Sequence, residues 1–94
     1  MRIVGFRHKD LDRFWRRDEA RGIARQHEAK LRAILTALEE AENVAELETV
    51  RGWRLHPLKG VRKGVWSLTV TRNYRLTFRV EGSIINEIDF EDYH

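Results

Sequence analysis

Ninety-four residues carry 41% apolar and 35% charged side chains, with three tryptophans and no cysteine. That composition supports one domain, residues 1–94, with one modest core, and it is too apolar for a disordered segment. The absence of cysteine excludes disulfides and thiolate metal sites, no run approaches the roughly 20 apolar residues of a membrane-spanning helix, and the start MRIVGFRHKD lacks the apolar stretch of a secretion signal, so a cytoplasmic protein is expected.

The first expected element is a short strand in RIVGF. KDLDRFWRR then sets Leu11, Phe14 and Trp15 at i, i+3 and i+4, the stripe of a helix. Gly22 breaks that pattern. Ala24, His27, Leu31, Ile34, Leu35 and Leu38 repeat at helical spacing, which predicts the longest helix over about 23–41. Asn43 is placed to cap a further turn through VAELETV, with Val44 and Leu47 on one face.

After Gly52 the period changes from helical to alternating. In VWSLTVT, Trp66, Leu68 and Val70 face one way and Val65, Ser67, Thr69 and Thr71 the other. RNY makes a tight connection, since Asn tolerates turn geometry. In RLTFRV, Leu76, Phe78 and Val80 alternate with Arg75, Thr77 and Arg79. EGS gives a second turn, and IINEIDFEDYH the last strand. Helices followed by a three-strand meander predict an α+β fold with the helices on one sheet face. Trp66, Phe14, Trp15 and the Leu31–Leu38 stripe are expected in the core. The other sheet face is left to Arg75 and Arg79.

Charge is segregated along the chain. From Arg51 to Arg79 there are eight Arg or Lys and no acid, flanked by Glu39–Glu48 and Glu81–Asp92, each with five acids and no base. Arg outnumbers Lys fourteen to four, and the planar guanidinium fork suits bidentate phosphate contact. Such a block attracts polyanions and suggests nucleic acid, although a solvated strand pair would carry the same charge. The helix arginines Arg13, Arg16, Arg17, Arg21 and Arg25 read equally as a docking face or as a solvated face paired with acids.

Phosphate-loop, dinucleotide and nucleophile-elbow motifs are absent, and His8, His27, His56 and His94 do not pair at metal-ligand spacing. His27 falls on the apolar stripe and is expected to pack. Two segments remain. In LHPLKGVRKGVW, Pro57 stiffens the chain after His56, and Gly60 and Gly64 frame a loop with Lys59, Arg62 and Lys63 that could hold a phosphate or serve as an ordinary surface hairpin. The terminus EDYH follows a strand that runs back toward Arg75. Should LHPLKG lie along the same sheet, His56, Lys59, Arg75 and DYH converge. That inventory suits RNA cleavage by its own 2′-hydroxyl. The reaction needs a base, an acid and cations at the phosphate, but no metal and no protein nucleophile. A solvated stub remains the other reading of DYH.

LHPLKGVRKGVWSLTVTRNYRLTFRV together with the terminal DYH resembles the HigB-type toxins of the RelE superfamily, from bacterial toxin–antitoxin pairs. The resemblance covers the whole chain in length and element order and is most specific in these two blocks. It implies a RelE-like α+β fold, with an amino-terminal strand and helices on one face of a carboxy-terminal antiparallel sheet. It implies a ribosome-dependent endoribonuclease that cuts messenger RNA in the A site without a cofactor. It also implies a HigA-like helix-turn-helix antitoxin, with operator DNA bound only through the antitoxin complex, and no membrane partner. The family's active site falls on His56, Lys59, Arg75, Asp92, Tyr93 and His94. Arg62, Lys63, Arg72, Asn73 and Arg79 become candidates for RNA contact. A basic RNA- or ribosome-binding module that blocks translation without cutting is the alternative. A DNA-binding regulator fits less well, because the chain shows no recognition-helix pattern.

Overall fold

The computed structural model describes residues 1–92. Arg2–Ile3 form strand β1, Lys9–Arg17 helix α1, Arg25–Glu40 helix α2 and Val44–Leu47 the short helix α3. Strands β2 (His56–Pro57), β3 (Val65–Thr69), β4 (Tyr74–Glu81) and β5 (Ile84–Asp92) follow, with 3₁₀ turns over Arg51–Trp53 and Gly60–Arg62. Tyr93 and His94 lie outside the described residues.

Local chemistry sets the helix limits. His8 caps α1: its Nδ1 accepts the Leu11 N–H at 3.0 Å. Asp10 and Asp12 stand in the first turn and Arg16 and Arg17 in the last, both complementing the helix dipole. Asn43 caps α3, its Oδ1 accepting the Glu46 N–H at 3.2 Å. The α2 stripe is the heart of the core, with Leu31, Ile34, Leu35 and Leu38 at most 1% exposed. It meets Leu68, Val70, Leu76, Phe78, Ile85 and Ile88 on one sheet face, and Leu11 and Phe14 join from α1. Each of these fully buried side chains contributes roughly 1.5–3 kcal/mol, the main force holding helices to sheet. Trp15 and Trp66 are half-buried against the core.

The five strands are ordered β1-β5-β4-β3-β2. The meander β3-β4-β5 is antiparallel, as the alternation and the two turns predicted. The sheet as a whole is mixed, not purely antiparallel, because β1 pairs parallel with β5 (Arg2↔Ile84, Ile3↔Ile85). A parallel pair needs a long crossover between its strands, and the whole helical half lies between these two.

One irregularity in β5 matters for everything after it. Thr77 faces Asp89 and Arg79 faces Asn86, so Glu87 and Ile88 together oppose Phe78 in a β-bulge. Glu87 sits there at φ 52°, in the left-handed region. Strict alternation from Ile85 would have turned Glu87, Asp89 and Glu91 into the core. The extra residue resets the parity, so Ile88 is 0% exposed and Phe90 packs on the core.

Candidate active site

The sheet face away from the helices collects the chemistry. Residues directly opposite one another on neighbouring strands share a face. His56 lies opposite Ser67, and Ser67 opposite Thr77. In the next row Thr69 lies opposite Arg75, and Arg75 opposite Glu91. The two rows bound a cavity of about 260 Å³ lined by Arg54, His56, Ser67, Thr69 and Arg75. A larger depression of about 720 Å³, at Arg13, Glu19, Ala20 and Arg21, has cations but no imidazole.

His56 is oriented from behind. Its Nδ1 lies 2.8 Å from the Arg54 carbonyl oxygen. A carbonyl only accepts, so Nδ1 carries the proton and Nε2 is the nitrogen left to exchange one. Arg54 reaches this position with φ at 47°, a left-handed conformation uncommon outside glycine. Pro57 follows at once and restricts the chain on the other side of the imidazole.

The opposite wall is held by a carboxylate. Arg62 reaches from the turn between β2 and β3 to Glu91 on β5, with Nη1–Oε1 at 2.9 Å and Nη2–Oε2 at 2.6 Å. Thr77 donates its hydroxyl to the same carboxylate. Arg75 Nη2 lies 3.4 Å from Glu91 Oε1. The Arg62 hydrogen bonds hold the Glu91 carboxyl down at about 2, against desolvation, with Thr77 and the charge of Arg75 helping. The same carboxylate pushes the Arg62 guanidinium up. Ser67 and Thr77 are 2% and 1% exposed, whereas His56 in the same row is exposed.

The predicted residues divide accordingly. His56 and Arg75 meet in the cavity, and Arg62 braces its border. Lys59 is exposed at the entry to the Gly60–Arg62 turn and is not among the cavity walls. Lys63, Arg72 and Asn73 are exposed. Arg79 pairs with Glu87 at 3.1 Å and also reaches the Lys63 carbonyl. Asp92 is exposed at the sheet end opposite Tyr74, which by strand parity puts it on the helix side rather than on the Arg75 side. The expected roles of Tyr93 and His94 lie outside the described residues. His27 is buried against Tyr74 and Phe90, with ring centroids 5.0 and 5.4 Å away, as its place on the apolar stripe predicted. Arg13 and Arg16 pair with Asp10 and Asp12, which favours the solvated reading of those two.

Sequence reasoning passed over Arg54, Ser67, Thr69, Thr77 and Glu91. Strand alternation could have found Ser67, Thr69 and Thr77, which share parity with Arg75. Glu91 was hidden by the bulge, and Arg54 contributes through its backbone, which residue type does not reveal.

Comparison with known proteins identifies the family. A family model described as the RelE-like toxin of the type II toxin–antitoxin system HigB matches residues 4–94. The chain is 35% identical over 92 residues to Endoribonuclease HigB of Proteus vulgaris, covering 98% of this chain and 99% of that protein. Among solved structures, the YoeB/ParE toxin from Agrobacterium tumefaciens superposes with TM-score 0.62 at 24% identity over 100% of both chains. The YoeB–YefM complex from Staphylococcus aureus gives 0.60 at 16% identity, over 100% of this chain and 99% of that one, and these two likenesses bear on the fold. The chain therefore belongs to the HigB family of RelE-like toxins of type II toxin–antitoxin systems.

Proposed function

We propose that this toxin is an endoribonuclease that cuts messenger RNA in the ribosomal A site and so stops translation, with residues 1–94 acting as one domain. The observation that carries this reading is the shared cavity of His56 and Arg75, with the His56 Nδ1 proton committed to the Arg54 carbonyl. The RNA's own 2′-hydroxyl attacks the phosphorus, its proton passes to a base, and the 5′ oxygen leaves with a proton from an acid. The products are a 2′,3′-cyclic phosphate and a 5′-hydroxyl. His56 Nε2 and His94 are the proton-transfer pair. Arg75 and Lys59 neutralise the phosphorane-like state. Asp92 orients a neighbouring group, and Tyr93 stacks on a base. The exposed Lys63, Arg72 and Asn73, together with Arg62 and Arg79, give a polar and largely cationic approach for RNA.

The toxin's partner is an antitoxin. Its helix-turn-helix form, the operator complex built on it, and the cytoplasm as the place of action follow from the same reading, since the substrate is a translated message. The test is primer extension and single-turnover cleavage on programmed ribosomes, with the wild type beside His56→Gln and His94→Ala. Removing a general acid or base should cost about 10²- to 10⁴-fold in rate. An unchanged rate in His94→Ala removes that residue from the mechanism. Translational arrest with intact message replaces the whole reading with that of a non-cutting ribosome binder.

A further inference from the structure

Glu91 is held on several sides at the edge of the site, yet it is not among the cavity walls. Four groups meet at its carboxylate: both terminal nitrogens of Arg62, the Thr77 hydroxyl and Arg75 Nη2. Only Arg75 also lines the cavity. Resting on the ribonuclease reading above, we propose that Glu91 is a positioning residue: gripped by Arg62 and Thr77, its carboxylate aims the Arg75 guanidinium at the phosphate to be cut.

The geometry explains why a carboxylate belongs there. An arginine side chain has several rotamers, and a guanidinium aimed by nothing would lose most of its value at a developing charge. A carboxylate on one terminal nitrogen restricts the orientation of the guanidinium that lines the cavity. Such a carboxylate would compete with the phosphate if it could swing into the cavity. Arg62 and Thr77 prevent that by taking both of its oxygens at closer range, 2.6 and 2.9 Å for Arg62 against 3.4 Å for Arg75. The longer contact steers Arg75 and lets it advance when a phosphate arrives.

The opposite role is a phosphate mimic that masks Arg75 and lowers activity. The two roles predict opposite signs, so rates decide between them. Single-turnover cleavage on programmed ribosomes is measured for the wild type, Glu91→Ala, Glu91→Gln, Arg75→Ala and the Arg75→Ala/Glu91→Ala double variant, all shown folded by circular dichroism. Positioning predicts a maximal rate lowered by up to about 100-fold in Glu91→Ala, with the half-saturating concentration nearly unchanged. Glu91→Gln keeps one accepting oxygen and falls in between. The double variant is no slower than Arg75→Ala, because Glu91 acts only through that residue. Side-chain ¹⁵N NMR reads the same effect without activity: the Arg75 Nε–H signal is sharp in the wild type and averaged in Glu91→Gln, which also serves if Glu91→Ala does not fold. A Glu91 variant that cleaves at or above the wild-type rate while Arg75→Ala is impaired overturns the proposal, as does a Glu91 loss that multiplies the Arg75 loss. If instead Arg75→Ala cleaves like the wild type, the cavity reading fails first and this proposal falls with it.

Discussion

Replacing Glu91 by Gln tests the network through stability as well as through rate. The substitution keeps the size of the side chain and removes its charge. In the folded protein the Arg62 hydrogen bonds draw the carboxyl from its ordinary 4.5 to about 2, with Thr77 and Arg75 assisting and desolvation opposing. At about 1.36 kcal/mol per pH unit the drop sets a ceiling near 3 kcal/mol. The Glu91 and Arg62 side chains are 19% and 35% exposed, so solvent reaches the pair. Screening reduces the expected contribution to roughly 1–2 kcal/mol.

The sign follows from linkage. A carboxyl whose folded pKa is depressed stabilises the protein fully above its unfolded value, and that stability is lost as pH falls through the folded one. The difference between wild type and Glu91→Gln should therefore be about 1–2 kcal/mol at pH 7, nearly the same at pH 5.5, and roughly 40% of that at pH 3. Urea titration followed by tryptophan fluorescence measures it, since a shift of this size is a visible fraction of the ~5–15 kcal/mol that holds a small domain together. Equal midpoints at pH 7, or a difference that stays constant down to pH 3, would show that the Arg62–Glu91 pair holds nothing in place.

Two further outcomes test the frame around the site. Phe78→Ala empties a position with 0% exposure at the centre of β4 and should cost about 3–5 kcal/mol in urea unfolding. Deleting Glu87 removes the bulge and the parity reset together, so Ile85, Ile88 and Phe90 then alternate onto the core face of a regular strand and cooperative unfolding should persist. Glu87→Gly, which keeps the bulge and suits φ 52°, should change stability in urea by no more than about 0.5 kcal/mol.

Much of this fold was legible because its elements repeat with clean periods. The α2 stripe, the Asn43 cap and the alternation of Leu76 and Phe78 with Arg75 and Thr77 each follow from one local rule, and each is found in the structure. What local rules cannot express is a residue used against its type. His8 serves as a cap, and Arg54 serves through a carbonyl in a left-handed conformation. The parallel pairing of β1 joins residues more than eighty positions apart, and only the closing of the whole sheet brings them together.

The site was half legible for a related reason. His56 and Arg75 sit on strands whose parity runs undisturbed, so the expectation that they would meet on one face was sound. Beyond Glu87 the parity of β5 depends on a single extra residue, and a reader who alternates from Ile85 puts Glu91 in the core and Phe90 in solvent. The core itself corrects that reading. Ile85 and Ile88 are both fully buried although three apart, a spacing no regular strand allows on one face. The spacing that lets two isoleucines reach the helices therefore also delivers Glu91 to Arg62 and Arg75. Packing on one side of the sheet and charge placement on the other are two consequences of one inserted residue. A substitution that forces regular alternation without removing that residue should damage both at once.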